Sequence, residues 1–248
     1  MSGHNKWSKI KRQKAVSDAK RSKSWARITR DIMMAARDGG GDPSMNARLY
    51  LSVDKAKAEN MPKDNIERAI KRGTGEIQSA DYEEMTYEGY APGGVAVFVE
   101  ALTDNINRTV ADLRSLFNKA GGSLGQTGSV AFLFDRKGIF EVPAEGLDEM
   151  ELFELVVEVG AEDLTQEDGT FTITTPVEQF GAVQAALDAA GLEPTEAGLQ
   201  RIPTTTNTLP AEAAQKVANL IEKLEEHPDV QEVYTTLEFD EATIDALS

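Results

Sequence analysis

GIFEV (138–142), DEMELFELVVEV (148–159), EDLT (162–165), TFTIT (170–174), VEQFGAVQAALDAA (177–190) and PTEAGLQRI (194–202) follow one another with short polar breaks between them. The first, third, fourth and last segments read as strands, and the second and fifth as helices. Asp168-Gly169 supplies the turn between the third and fourth. The resulting β-α-β-β-α-β order is that of a ferredoxin-like unit.

Working outward, Leu209-Pro210 opens a further helix with Val217, Leu220, Ile221 and Leu224 apolar, and Val230 to Phe239 reads as one more strand. On the other side, Met85, Tyr87 and Gly89 alternate, Pro92-Gly93-Gly94 turns, and Val95 to Val99 is a β-branched run hairpinned to the first. Thr103-Asp104-Asn105 then leads into a helix carrying Val110, Leu113, Leu116 and Phe117, closed by Gly121-Gly122, and Ser129 to Phe134 reads as a third strand. The late helix and strand complete this interrupted group, so the ferredoxin-like unit reads as an insertion. The expected class is α+β: a front domain (1–78) of a basic arm and three helices, a discontinuous α+β domain (79–136 plus 204–240), and an inserted acidic ferredoxin-like domain (137–203).

The front is helical. Trp25, Ile28, Ile32 and Ala35 or Ala36 recur at helical spacing until Gly39-Gly40-Gly41. Asp42-Pro43 reads as a cap with a first-turn proline, and Leu49, Val53 and Ala56 mark a second helix ending near Asn60. A third starts at Pro62, keeps Ile66 and Ile70 on one face, and stops at Gly73, with Asp64 early and Lys71-Arg72 late to complement the macrodipole.

Charge is divided along the chain. The protein carries 26 Lys or Arg against 42 Asp or Glu, a net of -16, yet residues 1–30 hold ten bases and one acid. Those bases are Lys6, Lys9, Lys11, Arg12, Lys14, Lys20, Arg21, Lys23, Arg27 and Arg30, with Trp7 among them as an aromatic able to stack on bases. Together they form the expected nucleic-acid-binding set, because a basic arm of this density binds phosphate through counterion release, with little regard to base sequence. A helix start near Ser22 would hold Arg27 and Arg30 in fixed register on the target, whereas Lys6 to Lys14 would act as diffuse charge. Residues 137–203, by contrast, hold Lys137 and Arg201 against fifteen acids. Nucleic-acid contact is not expected there, although ferredoxin-like units include RNA-recognition modules. The third strand of this unit also offers a single aromatic, Phe171.

Other chemistry is sparse. Without cysteine, neither disulfides nor thiolate metal sites form, and a reducing compartment fits. His4 lies in the arm and His227 ends a helix, where a cationic imidazole would complement the dipole. Leu224 stands where a Glu-x-x-His metal motif needs its acid. Neither metal, cofactor nor catalytic residues are expected. Gly122-Ser123-Leu124-Gly125 is read as a helix stop with a tight turn, since the Lys-Ser/Thr of a phosphate loop does not follow. Capping accounts for Asp104 and Asn105, which leaves Asn107 and Arg108 as candidates for facing a partner. No apolar run approaches the ~20 residues of a membrane span, and the basic N-terminus has no apolar stretch behind it, so the expected location is the cytoplasm.

Several motifs in order carry a resemblance: Ser2-Gly3-His4-Asn5-Lys6-Trp7, Asp18-Ala19-Lys20-Arg21, Gly39-Gly40-Gly41-Asp42-Pro43, Tyr87-Glu88-Gly89-Tyr90-Ala91-Pro92-Gly93-Gly94, Asn107-Arg108-Thr109, Gly128-Ser129-Val130 and Gln231-Glu232-Val233-Tyr234. With these, the chain resembles the YebC/PmpR family from Ser2 to about Phe239. Because the pattern begins right after Met1, a cleavable transit peptide is not expected. The resemblance implies three domains and no enzymatic activity. It also implies a DNA-binding transcriptional regulator or, as in the related mitochondrial translational activator of cytochrome oxidase, a ribosome-associated translation factor. The expected partner is therefore DNA or ribosomal RNA, and with the latter the ribosome.

Overall fold

The computed structural model describes residues 18–78 and 81–238, with the backbone alone for 18–23. The six arm positions Lys6, Trp7, Lys9, Lys11, Arg12 and Lys14 lie outside the described residues. Two compact units are present, Phe134–Ile202 and the remainder. The helical front and the interrupted α+β part, expected as separate domains, fall in the same unit.

In that larger unit α1 (Asp18–Gly39), α2 (Ala47–Ala58) and α3 (Lys63–Gly73) pack around Ile28, Ile32, Leu49, Ala56 and Ile66. Ser22 lies inside α1, so the amides there serve the helix and the expected helix start near Ser22 is corrected. Trp25 packs against this core and its indole N–H donates to the Glu59 carbonyl at 3.1 Å, tying α1 to the end of α2. The cap of α2 is also not the one expected. Asp42 closes a local turn through the Ser44 amide, while the buried Asn46 side chain accepts from the Leu49 amide and donates to the Ala35 and Gly40 carbonyls. One residue thus joins the end of α1 to the start of α2 and leaves no buried amide atom wasted. At the far end of α3 a side chain on Gly73 would meet the Met33 carbonyl at 2.3 Å, so glycine permits the close approach of α3 to α1.

The chain continues as β1 (Glu83–Tyr90), β2 (Ala96–Thr103), α4 (Ile106–Lys119) and the short β3 (Ser123–Leu124). The segment expected as a third strand, 129–134, is instead a loop with a helical turn at Ala131–Leu133, and the pairing falls on Ser123–Leu124, read from sequence as a turn. Glu88 is the reason. Its carboxylate is 2% exposed and accepts from the amides of Gly128 at 2.7 Å, Val130 at 2.6 Å and Ala131 at 2.8 Å, so those N–H groups bond to a side chain rather than to a ladder.

Next comes the second unit: β4 (Phe134–Pro143), α5 (Glu149–Glu158), β5 (Asp163–Glu167), β6 (Thr170–Pro176), α6 (Phe180–Ala189) and β7 (Glu196–Pro203). Its strand order, β5-β6-β4-β7, is antiparallel ferredoxin-like. Asp168 (φ 50) and Gly169 (φ 73) make the two-residue turn between β5 and β6. Phe140 stacks on Phe180 with centroids 4.5 Å apart, and Phe171 is 1% exposed, a core residue with no face for an RNA base.

The chain then returns to the larger unit as α7 (Ala211–Glu226) and β8 (Val230–Thr235), completing the sheet β3-β1-β2-β8. Departure and return are adjacent, since the Thr204 amide donates to the Leu133 carbonyl at 2.9 Å. The core of this sheet packs Val97, Val99 and Val233 against Leu113 and Phe117 of α4 and Val217, Ile221 and Leu224 of α7. The whole is α+β.

Candidate nucleic-acid interface

Helix α1 carries the basic positions Lys20, Arg21, Lys23, Arg27 and Arg30 along its first half. The last two are drawn into the protein. Arg30 donates from its guanidinium to the Pro228 carbonyl, 198 positions away, and its central carbon lies 6.0 Å from the Tyr82 ring centroid. Burial pushes the Arg27 guanidinium below its ordinary pKa, a cost that the nearby Glu232 and Glu225 partly offset. Next to them Asp31 accepts from the Gln231 amide at 2.8 Å, and Lys55 reaches Glu232 at 3.5 Å. Burial raises the Asp31 carboxyl to about 6; Lys55 opposes the rise and Glu232 adds to it. This face of α1 is a polar seam against residues 228–232. Arg27 and Arg30 therefore do not form the free register that their spacing suggests.

Arg108 is likewise engaged. Its guanidinium bridges Asp104 at 2.9 Å and Asp229 at 2.8 Å. Asp229 also accepts from Thr109 at 2.8 Å and Thr103 at 3.2 Å. Burial alone would raise the Asp229 carboxyl, but these donors, Arg108 foremost, bring it below its ordinary value; the same contact, Asp229 first, raises Arg108. Asn105 alone caps α4, accepting from the Arg108 amide at 3.1 Å, so Asp104 holds the arginine and is not a cap. Of the pair left over in the sequence reading, only Asn107 faces solvent unpartnered. His227 sits beside this group, its Nδ1 3.2 Å from the Asp229 amide and its Nε2 3.3 Å from the Asp112 carboxylate.

Three cations without a partner share one helix, α3. Arg68, Lys71 and Arg72 make no ion pair or side-chain hydrogen bond among the described residues, while Lys63 pairs with Glu67. Their spacing, three and four apart, puts them on one side of the helix. The sequence reading took Lys71 and Arg72 as complements of the macrodipole and passed over Arg68; the i, i+3, i+4 basic spacing was the signal available. Among the described residues no group of three or more His, Cys, Asp or Glu is arranged to hold a metal ion, and no helix is long and apolar enough to cross a membrane.

Comparison with known proteins places this arrangement. Residues 5–76 match the family model of the TACO1/YebC protein N-terminal domain, and residues 82–237 match that of the TACO1/YebC second and third domain. The chain belongs to the TACO1/YebC family. A relative from Salinibacter ruber is 54% identical over 97% of this chain and 94% of its own length, and one from Thermotoga petrophila 48% identical over 100% and 98%. Both are named probable transcriptional regulatory protein. The crystal structure of a conserved hypothetical protein from Aquifex aeolicus superposes with a TM-score of 0.82 at 45% identity, covering 90% of this chain and 93% of that one. In this chain Arg68, Lys71 and Arg72 of α3 have no partner among the described residues, whereas Arg30 and Arg108 are internal ties.

Proposed function

We propose that this TACO1/YebC protein is a nucleic-acid-binding regulator of gene expression that works by binding and not by catalysis. The observation that carries this reading is the charge segregation: ten bases against one acid in residues 1–30 of a chain whose net charge is -16. Such a front attracts phosphate while the acidic remainder orients the molecule on approach. The name shared by the relatives supports transcriptional regulation as the form this takes, and binding to DNA is the way we propose it acts. Arg68, Lys71 and Arg72 add three basic side chains on one packed helix, α3.

The test removes residues 1–17, which spares the described part of α1. This takes away Lys6, Lys9, Lys11, Arg12 and Lys14, five charges, and keeps every described residue. If all five contact phosphate, the slope of log K against log salt on duplex DNA becomes shallower by about 4.5. A truncated protein that binds with unchanged affinity and slope defeats the proposal. Crosslinking in cells with sequencing of both DNA and RNA then separates the targets: promoter enrichment supports transcriptional control, and enrichment of ribosomal RNA replaces it with a ribosome-binding role.

A further inference from the structure

A cavity of about 400 Å³ opens between α1, α3 and the segment leading into β1. Thr29, Arg30 and Met33 of α1, Arg72 of α3, and Gln78 and Tyr82 line it. Two arginines contribute to the wall, and among the described residues that line it there is no carboxylate, in a chain with 42 acidic residues. Arg72 has no partner among the described residues. Arg30 spends one guanidinium nitrogen on the Pro228 carbonyl, yet its Nε is buried with no hydrogen-bond partner. A buried, charged N–H without an acceptor is costly to keep, and negative charge held beside the guanidinium offsets part of that cost. The rest of the wall suits the other half of a nucleotide. Tyr82 offers ring surface to a base, Gln78 carries both donors and an acceptor for base edges, and the Thr29 hydroxyl, already donating to the Trp25 carbonyl at 2.7 Å, can still accept.

The volume lies within the range of roughly 300–1,000 Å³ common for small-ligand sites. Its concave form admits one nucleotide and excludes a stacked duplex, whose bases face inward and whose phosphates lie along a convex ridge. We propose that this cavity holds a single unstacked nucleotide of a bound strand, its phosphate between the guanidinium groups of Arg72 and Arg30 and its base against Tyr82. The inference rests on the nucleic-acid reading above and narrows it to a target with a single-stranded or looped stretch. A free mononucleotide has the same chemistry.

The test uses the full chain, a fluorescein-labelled oligouridylate and a duplex DNA of equal length at one salt concentration. Arg72→Gln is compared with Arg68→Gln, an equal loss of charge one turn away on the same helix and outside the cavity wall. The expected result is that Arg72→Gln weakens single-strand binding about tenfold more than Arg68→Gln does, while the two variants weaken duplex binding alike. RNA carrying 4-thiouridine is expected to crosslink, under near-ultraviolet light, to the peptides holding Arg72 or Tyr82. Equal losses for both variants on every probe, with no such crosslink, overturn the cavity assignment and leave the charge-based reading standing. Absence of binding by the intact chain to either probe overturns the charge-based reading itself. Displacement of the oligonucleotide by uridine monophosphate but not by inorganic phosphate supports the nucleotide pocket. Saturation by the mononucleotide at concentrations where the strand does not bind assigns the pocket to a free nucleotide and overturns the strand assignment.

Discussion

Replacing Asp31 by Asn should stabilise the protein at neutral and alkaline pH. The carboxyl sits in the seam between α1 and residues 228–232, and burial lifts it from an ordinary 3.8 to about 6. A raised carboxyl means that the folded state holds its proton more tightly than the unfolded chain does. Stability from this group is therefore greatest below pH 4, falls as pH rises toward 6, and above that a constant penalty remains. At about 1.4 kcal/mol per pH unit the ceiling is about 3 kcal/mol, and partial exposure of the residue reduces this to about 1–2 kcal/mol. Asn keeps an Oδ1 to accept from Gln231, whose amide lies 2.8 Å from Asp31, so the charge is removed and the bond is kept. Urea unfolding followed by tryptophan fluorescence is the assay, since Trp25 bridges α1 and Glu59 and only one other tryptophan is present. At pH 8 the midpoint of Asp31→Asn should lie roughly 0.5 M above that of the unmodified protein. By pH 4.5 the advantage should shrink to about a third, because nearly all folded molecules then hold the neutral carboxyl and the unfolded chain, though still mostly ionised, is within about one pH unit of its own value of 3.8. An Asn variant that is less stable at pH 8, or whose advantage does not change with pH, would show that Lys55 and the neighbouring cations outweigh burial at this seam.

Glu88→Gln should cost about 2–4 kcal/mol, because an amide nitrogen would face one of the three N–H groups that the carboxylate now accepts. Hydrogen exchange at Gly128, Val130 and Ala131 should accelerate while exchange in Phe134–Ile202 stays unchanged; uniform acceleration across both units would contradict a local role. In the inserted unit, Lys137→Ala combined with Arg201→Ala should leave nucleic-acid affinity and salt slope unaltered, since Lys137 is already paired with Glu162 at 2.6 Å and fifteen acids surround the two bases in sequence. A marked weakening in a filter-binding titration would place the interface on the wrong unit.

Local physics made much of this protein readable without coordinates. The ferredoxin-like order follows from alternation, helical spacing and the Asp168-Gly169 turn, all short-range signals. The same holds for Asn105 as a helix cap and for Gly73 as a helix end. Charge segregation needs no structure either, because counting residues suffices to show a basic front on an acidic chain. What the sequence could not decide was the employment of individual polar groups. Val130 reads as part of a strand until Glu88, 42 positions earlier, claims its amide and those around it. Arg30 and Arg108 read as free cations until Pro228 and Asp229 arrive from the far end of the chain. Conversely, Lys71 and Arg72 read as ordinary helix-end charges, yet Arg72 alone of the two turns toward the cavity beside Arg30. Backbone periodicity and net charge are sums over neighbours in sequence and are set by the amino acids themselves. Whether a particular donor meets water, a carbonyl or a ligand depends on which distant segment packs against it, and only the tertiary structure brings those segments together.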